Sequence, residues 1–204
     1  MQALAGSNPD EDVAVDSKTA QGLNLPEIHL EAMDSQDIPF RKGEPTEHIK
    51  RVILYHHSCN DEAAGTSILY LALQMSYRGT EEDAIFIVGI FNGYADKERT
   101  SLMLTDLDKD GVPEVALHYQ AGADADIMRI FQFAKRNNIA DDTSNIPISA
   151  VLRQIGYYGS GLGHVALGAD GTVTVIDYVD ESRKKAKPVK KYRLVDGVMK
   201  EIEK

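Results

Sequence analysis

The chain is poor in cysteine, in basic residues and in long apolar runs. It has one cysteine among 204 residues, and 22 lysines and arginines against 32 aspartates and glutamates leave a net charge of −10. The single Cys59 excludes an internal disulfide framework. No stretch approaches the run of about 18 apolar residues that a transmembrane helix needs, so we expect no transmembrane segment. The acidity argues against nucleic acid as a partner, because binding it requires a basic face that displaces counterions.

A short basic run is the exception to this acidity. Residues 183–191 hold six lysines and arginines. We interpret the run as a solvated hairpin connection or as a strand edge blunted by lysines. A membrane-surface or polyanion patch is the weaker alternative.

Composition divides the chain into a tether and a domain. Residues 1–44 are polar and acidic and have few large apolar residues, so they bury too little surface to offset their ordering entropy. We expect them to form a disordered or extended N-terminal tether, with residues 23–40 lying as extended chain on the domain. Residues 45–204 fit a single domain by length and composition.

The first half of this domain carries helix signals. Residues 49–55 show an apolar spacing that suits a helix face, and Thr46 is a candidate N-cap. A second apolar segment, residues 63–75, follows a candidate cap at Asn60 and Asp61 and ends before Gly79. Residues 80–83 resemble a capping box ahead of residues 84–91. The β-branched content of that last segment indicates a strand and the cap indicates a buried helix; we favour the helix.

The second half carries strand signals. After Ser101, short apolar runs alternate with turn residues, and Asp170-Gly171 and Asp196-Gly197 are typical of tight hairpins. The predicted strands are residues 102–105, 114–119, 127–133, 150–157, 163–167, 172–178, 190–195 and 198–202. Helices followed by strands predict an α+β fold, in which a helical part at about 45–95 packs on an antiparallel sheet formed by about 100–204.

Residues 106–115, DLDKDGVPEV, hold the densest chemistry in the chain. Carboxylates at alternate positions can converge on one point if the backbone curls, and Gly111 supplies the positive φ that such a curl requires. A hard cation such as Ca²⁺ takes about six to eight oxygen ligands. We therefore predict a Ca²⁺ site with Asp106, Asp108, Asp110, Glu114 and the backbone carbonyl of Val112 as ligands.

The flanking residues decide what kind of loop this is. A helix-loop-helix calcium loop needs a bidentate Glu at its twelfth position, which is Leu117 when counted from Asp106. Residues 101–104 predict a strand that enters the loop, and Pro113 with the apolar run 115–117 predicts a strand that leaves it. The predicted geometry is therefore strand-loop-strand, and an ion there would hold two hairpin strands in register.

Residues 106–114, D-x-D-x-D-G-x-P-E, resemble the calcium loops of FG-GAP and VCBS-type repeats. Those repeats lie in extracellular β-propellers, where the last acidic residue closes the cation shell. Residues 102–119, LMLTDLDKDGVPEVALHY, look like a single such unit of the kind found in many secreted bacterial lipoproteins of unknown function, with residues 192–197 as the closing segment. The loop occurs once, which excludes a propeller proper.

Two alternatives stay open for this loop. An ordinary acidic turn needs no ion, since D-x-D-G segments also form β-turns. A catalytic Mg²⁺ or Mn²⁺ site would gather ligands from several elements and keep positions open to substrate, whereas this loop is local and nearly self-sufficient. We favour calcium in a structural role.

Two further segments contain residues capable of catalysis. His56, His57 and Cys59 could form a nucleophile pair or a zinc site, but their spacing is poor for either. Residues 157–164, YYGSGLGH, contain a glycine-rich loop that lacks the following helix of a phosphate loop. We interpret this segment as a structural turn. It is also where we first expect a ligand or partner surface, formed by Tyr157, Tyr158, Ser160 and His164.

These features favour an extracytoplasmic calcium-binding structural or partner-binding module without chemistry of its own. Modular low-affinity calcium sites work outside the cell, where calcium is millimolar. We therefore expect a periplasmic, cell-surface or secreted protein with a protein or glycan partner at the cell envelope. Residues 2–7 resemble the Leu-Ala-Gly end of a lipoprotein signal with serine in place of the lipidated cysteine, consistent with a lipid anchor on the native N-terminus or with a plain disordered start.

Two other functions remain as alternatives. A hydrolase would pair His57 or His164 with Cys59 or Ser160, and those side chains would have to converge in one cleft. An inhibitor or immunity protein of the envelope is the third hypothesis, and the sequence has no feature that favours it.

Overall fold

The structure is a computed structural model that describes residues 3–5, 13–15, 28–39, 41, 48–57, 67–76, 83–94, 98–122, 125–133 and 152–202. These residues form fourteen strands in three antiparallel sheets. No helix in this part of the chain has the length and apolar character of a membrane span. The chain divides into two compact units, residues 1–95 and residues 96–204.

The first unit is built on one six-stranded antiparallel sheet. Its strands lie in the spatial order β1-β6-β5-β4-β3-β2. They are β1 (Ala3–Ala5), β2 (Val13–Val15), β3 (Ile28–Asp37), β4 (Ile49–His57), β5 (Ser67–Ser76) and β6 (Asp83–Gly93). One core cluster of this unit joins four of these strands through Leu30, Ile53, Tyr55, Ala72 and Ile85.

The helices predicted for residues 49–55, 63–75 and 84–91 are wrong, and so is the α+β class, because the described chain is all β. Strands β4, β5 and β6 occupy the described parts of these segments, which exclude residues 63–66. The physical reason is burial of β4 on both faces: residues 52–55 are each 0 % exposed, although successive side chains of a strand point to opposite sides. Such a strand has a continuous apolar run, and its i, i+3 and i+4 positions imitate a helix face.

The acid expected to cap a helix makes cross-strand contacts instead. Asp83 is the first residue of β6, and its carboxylate lies 2.7 Å from Lys50 Nζ on β4 and accepts a 3.2 Å hydrogen bond from Gln74 Nε2 on β5. The other expected cap and stop residues lie outside the described residues, namely Thr46, Asn60, Asp61, Gly79 and residues 80–82.

Part of the segment expected to be a tether belongs to this sheet. β3 runs antiparallel to β4, and its Leu30 pairs with His57 and is 1 % exposed. Within residues 1–44, the structure describes β1, β2, β3 and residues 38, 39 and 41. In the sequence, the border between the two compact units falls between residues 95 and 96.

The second unit contains two four-stranded sheets, and its strand predictions are confirmed to within a few residues. The sheet of order β10-β9-β8-β7 and the sheet of order β11-β12-β13-β14 are both antiparallel. Their strands are β7 (Ser101–Thr105), β8 (Glu114–Ala121), β9 (Ala125–Phe133), β10 (Leu152–Ser160), β11 (His164–Leu167), β12 (Val173–Ile176), β13 (Lys190–Val195) and β14 (Val198–Glu201).

A shared core packs these two sheets against each other. Ala116, Met128 and Ile130 come from the β7–β10 sheet, and they meet apolar residues of the β11–β14 sheet at Val165, Val173 and Leu194. All six are at most 4 % exposed. The loop between β7 and β8 also contributes Leu107 to this cluster, so the predicted metal loop is attached to the core of the unit.

The two predicted hairpin turns differ in length. Asp196 and Gly197 join β13 directly to β14, and both have positive φ values, 54° and 71°, as a two-residue hairpin turn requires. The Asp170-Gly171 pair lies in a longer connection, residues 168–172, in which Gly168 and Thr172 are joined by a 2.9 Å backbone hydrogen bond. Residues 192–197, the expected closing segment, thus form most of β13 and its turn.

Candidate metal centre

The acidic loop lies where the pairing of β7 and β8 ends. Thr105 pairs with Glu114, and residues 106–113 connect the two strands. The strand-loop-strand geometry predicted from the sequence is therefore confirmed. Lys109 and Gly111 have φ values of 63° and 92°, and these left-handed residues turn the backbone back on itself. Gly111 was expected in this role, and Lys109 was not.

Three carboxylates of this segment converge. One oxygen each from Asp106, Asp108 and Glu114 lies within 4.8 Å of the others. Two oxygens bound to one calcium ion at 2.3–2.6 Å can be at most about 5 Å apart. The three carboxylates are therefore close enough to bind a single cation, and they provide the oxygen ligands that hard cations prefer.

Backbone N–H groups orient the two aspartates of this set. Gly111 N–H donates to Asp106 Oδ2 at 3.0 Å, and Asp110 N–H donates to Asp108 Oδ1 at 3.2 Å. Both bonds are formed inside the loop, so the loop's own fold points these side chains inward.

Of the two other predicted ligands, Asp110 is not among the three converging carboxylates, and Val112 would contribute only its backbone carbonyl. Asp110 Oδ1 accepts a 2.8 Å hydrogen bond from Val112 N–H, which is a local turn contact typical of aspartate. The side chain of Val112 is buried, at 8 % exposure. Their role as ligands stays a prediction.

Glu114 is the buried member of the set. Its side chain is 1 % exposed. Leu107 N–H donates to its Oε2 at 2.8 Å, and Gln132 Nε2 donates to its Oε1 at 3.4 Å. Burial raises the pKa of Glu114 to about 7; the bond from Leu107 opposes this rise, and the charges of Asp108 and Asp110 add to it. Because both hydrogen-bond donors are neutral, a cation at the site would supply the charge that they lack.

The residues that fix this loop to the rest of the unit were not predicted from the sequence. Leu107 lies between two of the carboxylates, yet it is 4 % exposed and packs in the core between the two sheets. Gly171 (φ 78°) approaches it so closely that a Cβ at that position would lie 3.3 Å from Leu107 O. The sequence gives one signal for Leu107: it is an apolar residue inside an acidic run, at a position where the calcium-loop motif allows any residue.

The paired tyrosines proposed for partner binding point in different directions. Tyr157 is 54 % exposed, and the Arg129 guanidinium lies 4.7 Å from the centre of its ring. Tyr158 packs in the core against Tyr192, with ring centres 4.6 Å apart, and burial raises its pKa to about 12. Tyr157 is therefore accessible to a partner, and Tyr158 is mainly a core residue.

Ser160 is held by the turn that follows β10. It is 2 % exposed; its hydroxyl donates to Asp177 Oδ1 at 3.1 Å and accepts from Gly163 N–H at 2.7 Å. His164, the first residue of β11, is exposed. This geometry supports the structural-turn interpretation of residues 157–164, because the hydroxyl accepts a bond from within the turn and donates one to Asp177, which follows β12.

The other candidate catalytic group is described only in part. His56 and His57 are neighbours on β4, so their side chains leave opposite faces of the strand. His56 Nε2 lies 3.0 Å from Glu31 Oε2 on β3. Cys59 lies outside the described residues, so its pairing with a histidine stays a prediction.

Comparison of the chain with known protein families, with curated proteins and with solved structures found no match. The case for a function therefore depends on the geometry of the acidic loop and its surroundings.

Proposed function

We propose that this protein is a calcium-stabilised structural or partner-binding module that acts outside the cytoplasm and has no catalytic activity of its own. The observation that carries the proposal is the convergence of Asp106, Asp108 and Glu114 within 4.8 Å. One of these carboxylates, Glu114, is almost fully buried and held by neutral donors.

Calcium fits this set better than a catalytic cation does. The three converging groups come from nine consecutive residues, and all are oxygen donors. Ca²⁺ accepts the irregular ligand geometry that a local set of carboxylates provides. Mg²⁺ requires a near-ideal octahedron and keeps several of its waters. Burial of Glu114 also leaves less room for a substrate, which supports a structural role.

The ion would act by tying the loop to the core of the second unit. Glu114 begins β8, Asp106 follows β7, and Leu107 between Asp106 and Asp108 is buried between the two sheets. Binding would therefore hold the ends of β7 and β8 in register and keep Leu107 seated in the core. A ligand that binds only the folded state stabilises it in proportion to the logarithm of its concentration over Kd.

The location and the partner follow from the kind of site. A single loop that supplies its ligands locally suits weak binding at millimolar calcium, which is found outside the cell. We propose a periplasmic, cell-surface or secreted location and a protein or glycan partner at the cell envelope. Recovery of the chain from the cytoplasmic fraction of its own cell would contradict this part.

Thermal unfolding of the full chain tests the calcium site. Calcium at about 100 times Kd should stabilise the second unit by about 2.7 kcal/mol, or roughly 10 °C in Tm for a unit of this size. Asp108→Ala should abolish the rise. Asp180→Ala is the matched control, because Asp180 also accepts a backbone N–H two residues on, from Ser182 at 3.0 Å, but lies in another turn.

Magnesium and EDTA complete the experiment. We expect EDTA to reverse the calcium effect and magnesium to reproduce little of it. If calcium does not raise the Tm and the chain has a magnesium-dependent hydrolytic activity, the proposal is wrong and the hydrolase alternative is supported.

A further inference from the structure

The outer face of the β11–β14 sheet is basic. In β13 and β14, Leu194 pairs with Met199 on the core side. Strand alternation therefore places Arg193 and Lys200, which also pair with each other, on the opposite side. Lys191 shares that face, opposite Thr174 of β12. None of the outward positions of these four strands holds an aspartate or glutamate.

The chain that leads into β13 extends this basic surface. Residues 183–193 contain seven lysines and arginines and no acidic residue, in a chain whose net charge is −10. Arg183, Lys184 and Lys185 are exposed. Their segment is held beside the sheet by the bridge between Tyr178 and Ala186 and by a 2.9 Å hydrogen bond from Val179 N–H to Lys185 O. The positive charges therefore lie on a hydrogen-bonded segment of the connection between β12 and β13.

Two carboxylates at the rim pair with this face. Asp170 lies 3.1 Å from Arg193, and Asp196 lies 3.5 Å from Lys200. All four side chains are well exposed, and exposed ion pairs contribute little energy because water and salt screen them. Such pairs open at small cost, so an anionic surface can replace these two carboxylates.

Aliphatic residues continue the same face at the hairpin end. Val195 and Val198 pair with each other on the outer side and are 36 % and 56 % exposed. Sheet faces that bind single-stranded nucleic acids carry aromatic side chains on which bases stack. The outward strand positions of this sheet carry no phenylalanine, tyrosine or tryptophan, and their one aromatic ring is that of His164 at the start of β11. Cations next to exposed aliphatic side chains are typical of surfaces that lie on membranes.

We infer that this basic face, formed by Lys191, Arg193 and Lys200 with the adjoining cations of residues 183–185, docks on a membrane surface rich in anionic phospholipids. The outer side of the four-stranded sheet would lie on the layer of headgroups, and Val195 and Val198 would reach its apolar boundary. Asp180 and Glu181 are exposed next to residues 183–185 and offset part of the charge of that segment, so Lys191, Arg193 and Lys200 would contribute most to the contact. Acidic residues farther away than about 8 Å are screened at physiological salt. The inference is independent of the calcium site.

Co-sedimentation of the full chain with vesicles tests the inference. We expect binding to vesicles of phosphatidylcholine mixed with phosphatidylglycerol, weakening as salt is added, and no binding to vesicles of phosphatidylcholine alone at the same calcium concentration. Lysines near an anionic surface contribute about fivefold each to binding. The Lys191→Ala/Lys200→Ala variant should therefore bind about 25-fold more weakly, and Lys191→Arg/Lys200→Arg should bind like the wild type.

A variant of the first unit provides the charge-matched control. Arg41→Ala/Lys50→Ala removes the same charge at two other exposed positions and should leave vesicle binding unchanged. Equal loss in both double-alanine variants, or equal binding to neutral vesicles, would overturn the inference. Binding to a DNA duplex or to heparin at a salt concentration that abolishes vesicle binding would also overturn it, in favour of a polyanion.

Discussion

At the scale of single residues, Leu107 and Glu114 explain why the acidic loop is more than a solvated turn. Both belong to a run in which acidic residues predominate, and both are almost fully buried. They are joined through the 2.8 Å hydrogen bond from Leu107 N–H to Glu114 Oε2. The loop is thus held by the Leu107 side chain, which packs in the core, and by the Glu114 carboxylate, which accepts a hydrogen bond from the backbone N–H of Leu107.

Replacing Leu107 tests whether the core holds the loop. Leu107→Ala leaves a cavity between the two sheets and should lower the free energy of unfolding by about 2–5 kcal/mol. Leu107→Met nearly conserves volume and should cost less than about 1.5 kcal/mol. Urea unfolding of both variants in calcium measures the difference. Equal, small losses in the two variants would show that the residue does not hold the loop.

The same residues show how far the sequence predicted the site. The carboxylates Asp106, Asp108 and Glu114 were found because their spacing and Gly111 have a local meaning that does not depend on the rest of the chain. Leu107, Gln132 and Gly171 were missed because their roles depend on contacts with strands distant in sequence. Residues that support a site through tertiary packing leave little local pattern.

At the scale of secondary structure elements, the sequence predicts strands correctly where exposed and buried residues alternate, as in β13, and also in β8, where a buried run follows the acidic loop. It wrongly predicts helices at β4 and β5, where buried runs coincide with candidate helix caps. β13 alternates exposed lysines and arginine with the partly buried Tyr192 and the buried Leu194, and such alternation identifies a strand. β4 and β5 have buried residues at successive positions. Such continuous apolar runs fit a strand or a buried helix equally well, and the candidate N-caps favour the helix.

The connection between β12 and β13 provides a pH-dependent prediction. Lys187 beside it lowers the pKa of Asp177 to about 2, with help from Leu162 N–H and the Ser160 hydroxyl and against a smaller effect of desolvation. Since the folded pKa lies below the ordinary value of 3.8, the charged carboxylate stabilises the fold above about pH 4, and this contribution is lost as the pH falls toward 2.

Asp177→Asn should therefore cost about 1 kcal/mol at pH 7, a modest amount because the carboxylate is partly exposed to solvent. The difference from the wild type should narrow between pH 4 and pH 2 in urea unfolding at constant calcium. A difference that stays constant over this range would show that the charge of Asp177 does not contribute, and that the variant acts by steric change alone.

At the scale of the whole molecule, the second unit carries a candidate cation-binding loop on one sheet and a basic face on the other. Its β7–β10 sheet carries the candidate calcium loop at the β7–β8 corner, and its β11–β14 sheet presents a basic outer face. The core that joins the two sheets includes Leu107 from the loop and Leu194 from β13. Calcium would therefore stabilise the packing that supports the basic face, without taking part in the contact itself.

The stability of Glu114→Gln in calcium and in EDTA tests the central claim most directly. The variant keeps the size of the side chain and an acceptor for Leu107 N–H, but it removes a negative charge that burial disfavours. Since the folded pKa of Glu114 is about 7, above its ordinary 4.5, the cost of that charge grows from about pH 4.5 and is complete above pH 7. Urea unfolding of the wild type and the variant at pH 8 is the measurement.

In EDTA we expect the variant to be more stable than the wild type, by about 1–3 kcal/mol. In saturating calcium we expect the order to reverse, because the ion stabilises only the wild type. A variant that is less stable in EDTA and gains as much from calcium as the wild type would contradict a cation site built on Glu114.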